Sequence, residues 1–289
     1  MKKQMSNIIV GILFSFGLAL LLYPSVSNYW NDMHQTKVIT NYVEKVDKID
    51  EETYQKIFGE ANDYNQSLIR ESVVVVADEE KYNRILNING GQIGYIQIPT
   101  INVSLPIYHG TSEAVLQVGI GHVAGSSFPI GEEGSHTVLL GHRGLPSAKL
   151  FTNLPKLKEK DLFYITVFDK KITYEVDDIK VVKPERLEDI IVEEEGVYVT
   201  LVTCTPYAIN SHRLLVRGHK IEVNEPDEEI TPPNNWISSL IWFVIIILIL
   251  LFLLLIIIFY KKKKNKDNKN NNKKKKKIIK IKKKNNKIK

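Results

Sequence analysis

The pattern of apolar and polar residues predicts two helices followed by a β-rich region. Between residues 32 and 71, apolar side chains recur at helical spacing in two sets, and the acidic Asp50-Glu51-Glu52 between them is typical of a helix start. Beyond residue 91 the period falls to two. This alternation predicts seven strands, at 94–98, 103–108, 137–140, 162–168, 171–182, 197–203 and 212–217. Many short strands with little helix between them indicate a closed barrel or a sandwich.

Two apolar segments suggest a membrane location. Residues 236–260 carry no charge and, at about 1.5 Å per residue, are long enough to cross a hydrocarbon core of about 30 Å as a helix. The lysines that follow place the C-terminus in the cytoplasm and the preceding region outside. Residues 8–23 are short for a span and long for a signal-peptide core, so they form either an uncleaved anchor, which we favour, or a cleaved signal. We expect contact with membrane lipid through 8–23 and 236–260.

Charge is distributed unevenly along the chain. Of the net charge of +6, residues 261–289 contribute about +16, which leaves about −10 for the rest. Because the basic residues follow the predicted span, they report topology and do not indicate a nucleic-acid partner. The predicted organisation is an apolar N-terminal segment (1–28), an extracytoplasmic helical region with a possible lid (29–85), a β-rich domain (86–222), a linker (223–235), a transmembrane helix (236–260) and a basic cytoplasmic tail (261–289).

The single cysteine, Cys204, ends a β-branched run. It is a buried thiol, half of an intermolecular bridge or a reactive group, because one cysteine cannot form an internal disulfide. Alternation along the strand places its side chain on the face of Thr200 and Val202. Pairing of the last two predicted strands would bring Arg213 into the same cleft, since an arginine does not sit unpaired in a closed apolar interior. A positive neighbour favours a thiolate, so we favour the reactive group.

A reactive thiol needs an acid or base close by. We prefer His142, which follows the strand at 137–140 and has Gly141 and Gly144 around it, although its position also fits a surface loop. Arg213 suits a developing oxyanion, and Arg217 is the second choice. No closely spaced ligand pairs or phosphate-binding motifs occur, so we predict no metal and no cofactor. The other histidines of the β-rich region are His109, His122, His136, His212 and His219.

The motifs TLVTCTPYAINSHRLLVRG and TVLLGHRGLPSAKLFTNL closely resemble those of the sortases, specifically the class C, pilus-assembling sortases of Gram-positive bacteria. The similarity covers about residues 91–221. It implies a mainly β fold, a closed eight-stranded β-barrel with N-terminal amphipathic helices and a C-terminal transmembrane helix. It also implies that Cys204 is the nucleophile, His142 the general acid and Arg213 the residue that positions substrate and stabilises the oxyanion.

The resemblance implies a membrane-anchored cysteine transpeptidase. Such an enzyme cleaves an LPXTG-like sorting signal of a pilin or surface protein after threonine, holds the product as a thioester and joins it to a lysine amine of a pilin subunit. The alternatives are a housekeeping or class B sortase that anchors proteins to peptidoglycan, an L,D-transpeptidase, whose Ser-His-Gly-Cys context Cys204 lacks, and a non-enzymatic membrane-tethered binding domain. Class C sortases typically carry a lid with an Asp-Pro-aromatic motif, which is absent here because no proline occurs between Pro24 and Pro99.

Overall fold

The computed structural model describes residues 2–70, 79–88, 90–185 and 195–222, and in the C-terminal part 244–246, 248, 249 and 252. The chain divides into two units, 1–233 and 234–289, and the described residues of the second are helical. The predicted transmembrane helix and basic tail lie largely outside the described residues. None of the helices in the described part of the chain combines the length and hydropathy needed to cross a bilayer.

Helices precede the β-rich region, as the apolar pattern predicts. Helix α1 spans Lys2–Val46 and continues through Pro24, helix α2 spans Glu51–Arg70, and a short α3 spans Glu79–Arg84. The predicted start of the second helix is confirmed. Both oxygens of Asp50 are engaged there, since Oδ1 accepts from the Thr53 backbone N–H (2.9 Å) and Oδ2 from the Thr53 hydroxyl (3.0 Å). A side chain that satisfies an otherwise unpaired backbone N–H favours a helix start at this point.

Eight strands form a closed barrel, so the barrel and not the sandwich is confirmed. Their order around the barrel is β1-β2-β3-β4-β7-β8-β6-β5, with β5 returning to β1. The pairs β2–β3 and β4–β7 are parallel and the others antiparallel. The strands are β1 Gln92–Ile98, β2 Val103–His109, β3 Ile120–His122, β4 Ser135–Leu140, β5 Leu162–Val167, β6 Lys170–Val182, β7 Val197–Thr205 and β8 His212–Ile221.

Short helical turns fill the connections. Helix α4, Glu113–Leu116, lies between β2 and β3, and 3-10 turns occupy Pro99–Ile101 and Leu150–Lys156. Seven of the eight strands match the predicted ones within a few residues. Strand β3 was not predicted, because its three residues are too few to show an alternation of apolar and polar side chains.

The N-terminal helices pack on the barrel through buried polar contacts. The hydroxyl of Tyr42 in α1 donates to the carbonyl of Ile93 (2.7 Å) and accepts from the backbone N–H of Phe168 (2.8 Å). In α2, the side-chain amide of Asn65 bonds both backbone groups of Phe128, at 3.0 and 2.7 Å. Because these contacts satisfy buried backbone groups of the barrel, the helices are part of its fold and not an appendage.

Candidate active site

Cys204 lies at the end of β7, directly opposite Arg213 of β8. The two are Cα partners in the antiparallel register, so their side chains share one face, as the alternation predicts. The thiol is free and partly exposed, whereas the strand before it is buried on both faces. Val199, Leu201 and Val202 are fully buried. A rigid, buried strand thus presents a single accessible thiol at its end.

The end of β4 is fastened to the same part of β7. The parallel register pairs Leu140 with Val202. Gly141 continues it, since its N–H donates to the Val202 carbonyl (3.0 Å) and its own carbonyl accepts from the Thr203 hydroxyl (2.7 Å). His142 is two residues beyond Leu140 and Cys204 is two residues beyond Val202, so both follow the last paired position of adjacent strands. The residues chosen from the sequence therefore fall on three neighbouring strand ends, in the order β4, β7, β8.

Glycine at position 141 is required by packing. A Cβ there would lie 2.5 Å from the Phe151 ring and 2.7 Å from the Ile120 side chain. Both neighbours are fully buried. The strand end that carries His142 therefore sits close to the barrel core, where a larger residue would push it away from β7.

Helix α1 supports the loop after His142. The Ser27 hydroxyl and the Asn31 side-chain amide both donate to the carbonyl of Ser147, at 2.9 and 2.6 Å. Within the same loop, the backbone N–H of Phe151 donates to the carbonyl of His142 (3.1 Å). The histidine is thus held by contacts from the barrel, from its own loop and from α1.

The imidazole of His142 contacts a carboxylate. Its Nε2 lies 3.4 Å from Oε2 of Glu113 in α4, and the other oxygen of Glu113 accepts from the side-chain amide of Gln117 (2.5 Å). The hydrogen bond from Gln117 is the main cause that lowers the pKa of Glu113, and the charge of His142 adds to it. The carboxylate therefore stays ionised and places a negative charge beside the imidazole.

The guanidinium of Arg213 bonds to its own loop. Its Nη1 donates to the carbonyls of Asn210 and His212, both at 3.1 Å. These bonds hold the guanidinium against the loop between β7 and β8. A guanidinium has five N–H donors in a planar fork, so it can bond to backbone carbonyls and to a substrate oxygen together.

The other candidates lie in different surroundings. His109 and His122 are buried next to Tyr82 of α3, and His136 is buried with Nε2 2.8 Å from the Thr200 hydroxyl. The second choice of arginine, Arg217, makes a two-pronged ion pair with Asp177 (3.1 Å for both bonds). His212 pairs with Thr205 in the register, one position from Cys204, and so points to the other face.

Arg143 is the second arginine at this site and was not among the residues predicted from the sequence. Its Nη1 donates to the Thr205 hydroxyl (2.9 Å) and lies 3.5 Å from the carbonyl of Cys204. The residue follows His142 directly in the quoted motif. No spacing between residues in the sequence indicates this contact, because only the parallel β4–β7 register brings residue 143 to residue 205.

Comparisons with known proteins agree with this geometry. Residues 96–221 match the sortase domain family. The chain is 46% identical to sortase C1 from Streptococcus agalactiae, with a TM-score of 0.62 over 65% of this chain and 100% of that one. It is 41% identical to the sortase C structure from Streptococcus pneumoniae, with a TM-score of 0.60 over 66% of this chain and 100% of that one.

A relative outside class C is similar over most of its length. The chain is 27% identical to sortase A of Bacillus anthracis over 218 residues, which cover 75% of this chain and 95% of that protein. The sortase C structures are more similar in sequence, and this chain covers each of them over its full length. The chain therefore belongs to the sortase family of cysteine transpeptidases, in its class C branch.

Proposed function

We propose that this protein polymerises pilins, using Cys204 as nucleophile, His142 as general acid and base, and Arg213 as oxyanion stabiliser. The observation that carries the proposal is the alignment of three strand ends, with Cys204 paired to Arg213 and flanked by the turn of His142. The solved relatives include a sortase C1 of a pilus island, which supports the pilin substrate class.

In the first half-reaction, Sγ of Cys204 attacks the threonine carbonyl carbon of an LPXTG-like signal. The carbonyl oxygen gains charge, and Arg213 stabilises it. The C–N bond then breaks, His142 gives its proton to the leaving amine, and a thioester remains on Cys204. Glu113, 3.4 Å from Nε2 of His142, orients the imidazole for this transfer.

In the second half-reaction, the ε-amine of a pilin lysine attacks the thioester carbonyl. The C–S bond breaks, Cys204 leaves as a thiolate, and His142 takes the proton that the amine releases. The product is an isopeptide bond between threonine and lysine. A site that limits access of water favours this transfer over hydrolysis.

The proposed setting is the outer face of the cell membrane. The sequence supports it through the apolar segments 8–23 and 236–260 and the lysines after residue 260, which would leave the tail in the cytoplasm. Within the region predicted to hold a possible lid, residues 71–78 lie outside the described residues. Tyr82 itself is buried in α3 against the barrel.

The acceptor distinguishes pilus assembly from the cell-wall-anchoring alternative. Full-length protein in detergent micelles would be incubated with an LPXTG peptide and equal amounts of a lysine ε-amine peptide and an oligoglycine peptide, with products identified by mass spectrometry. We expect threonine joined mainly to the lysine, and no product from Cys204→Ala. Joining only to oligoglycine would favour anchoring, and unchanged turnover in Cys204→Ala would refute both.

A further inference from the structure

Arg143 connects the two chain segments that carry His142 and Cys204. It follows His142 in sequence, and its Nη1 donates to the hydroxyl of Thr205, the residue after Cys204, at 2.9 Å. The same nitrogen is 3.5 Å from the Cys204 carbonyl. Its guanidinium carbon also lies 5.9 Å from the centre of the Tyr207 ring. One side chain thus spans from the β4 turn to the backbone of the nucleophile and to the loop beyond it.

Packing around Arg143 leaves little freedom in this arrangement. Gly144 has a φ of +80°, and a Cβ on it would lie 3.0 Å from the Tyr207 ring. The Gly144 N–H donates to the Thr152 hydroxyl (3.1 Å). The turn is therefore held at both ends, and the arginine projects from it in a defined direction.

Stability alone does not explain an arginine here. Its Nε is buried and has no hydrogen-bond partner among the described residues. A buried donor without an acceptor opposes folding, and a shorter neutral side chain would avoid that cost. The residue does, however, tie the backbone of the nucleophile to the His142 turn through its contacts with Thr205 and with the Cys204 carbonyl.

We propose that Arg143 is a positioning residue that fixes the Cys204–Thr205 backbone against the His142 turn. The two arginines then have separate roles and approach from different strands. Arg213 approaches from β8 and serves the substrate oxyanion, whereas Arg143 approaches from β4 and serves the nucleophile. This inference rests on the proposed function for its effect on turnover, but its effect on the thiol needs no substrate.

Two measurements on the full-length protein test the proposal. The first is the rate of Cys204 alkylation by iodoacetamide, which needs no substrate. We expect Arg143→Gln and Thr205→Val to change this rate in the same direction, because each removes the 2.9 Å bond that holds the Cys204–Thr205 backbone. Arg84→Gln is the control, because Arg84 is an exposed arginine of α3, paired with Glu80, and should leave the rate unchanged.

The second measurement is steady-state transfer of an LPXTG peptide to a lysine amine. We expect Arg143→Gln and Arg143→Lys to lower kcat by about 10–100-fold with little change in KM, since misplacing a reacting group costs rates of this order. Thr205→Val, which removes the acceptor of the 2.9 Å bond at nearly constant size, should lower kcat in the same way.

The outcomes separate the possibilities. A wild-type alkylation rate together with a wild-type kcat, in both Arg143→Gln and Thr205→Val, would overturn the proposal. If Arg143→Gln fails to fold, Arg143→Lys and Thr205→Val decide it through the split between kcat and KM. If the wild type transfers no peptide but the alkylation rate still changes in Arg143→Gln and Thr205→Val, the proposed function fails and the positioning role of Arg143 stands.

Discussion

We expect His122 to make the free energy of unfolding of the barrel depend on pH. The imidazole is fully buried and stacks on Phe128 with ring centroids 4.8 Å apart. Its Nε2 lies 3.0 Å from the Ser127 carbonyl, and its Nδ1 lies 2.8 Å from the Tyr82 hydroxyl, which donates to the His122 carbonyl (3.0 Å). Full burial favours the neutral ring, because a charged imidazole would lose its hydration here.

Burial lowers the pKa of His122 from its ordinary 6.5 to about 4, and the nearby His109 contributes in the same direction. Between these values the unfolded chain binds a proton that the folded chain excludes, so stability falls as the pH is lowered. The effect is absent above pH 6.5 and complete below pH 4. At about 1.4 kcal/mol per pH unit, it amounts to about 2 kcal/mol at pH 5 and about 3 kcal/mol at pH 4.

The assay is urea unfolding of the full chain in detergent at pH 7 and pH 5, followed by circular dichroism of the β signal. The wild type is compared with His122→Gln, which keeps polar groups at the site but does not titrate. Groups elsewhere titrate in both proteins and cancel in the comparison. We expect the wild type to lose about 2 kcal/mol more than the variant between the two pH values. Equal losses would refute the assignment of a neutral buried imidazole.

Two further changes test the helix docking and the support of His142. Tyr42→Phe leaves the Ile93 carbonyl and the Phe168 N–H buried without their partner, so we expect a loss of about 1–3 kcal/mol in urea unfolding, and no loss would contradict the docking contact. Glu113→Gln removes the charge beside His142 and should lower kcat/KM about twofold to fivefold, because the pair is exposed. Glu80→Gln, at an exposed site on α3, is the matched control, and an equal effect of both would count against the contact.

Local patterns in the sequence sufficed for the barrel strands and the pairing of Cys204 with Arg213. Alternation over 197–203 and 212–217 determines which side chains share a face, and the short loop between these runs leaves little choice of register. The start of α2 follows equally from the acidic residues at 50–52. Each of these features depends on residues that are neighbours in sequence.

Features that depend on distant residues were not predictable in the same way. His109 and His122 lie next to glycines in the sequence, a position typical of solvated loops, but Tyr82 from α3 covers them. Arg143 carries no pattern of its own, and its role follows from the parallel pairing of strands 57 or more residues apart. Strand β3 is recognisable as a strand only through its partners β2 and β4.

The most direct test of the account is to trap the acyl-enzyme. Full-length protein is mixed with an LPXTG peptide without an amine acceptor, quenched in acid and weighed by intact-mass spectrometry, then treated with hydroxylamine. The account predicts added mass equal to the fragment ending in threonine, located on the peptide that contains Cys204 and released by hydroxylamine as a hydroxamate. Peptide cleavage by the wild type with no mass on Cys204, or cleavage retained in Cys204→Ala, would contradict it.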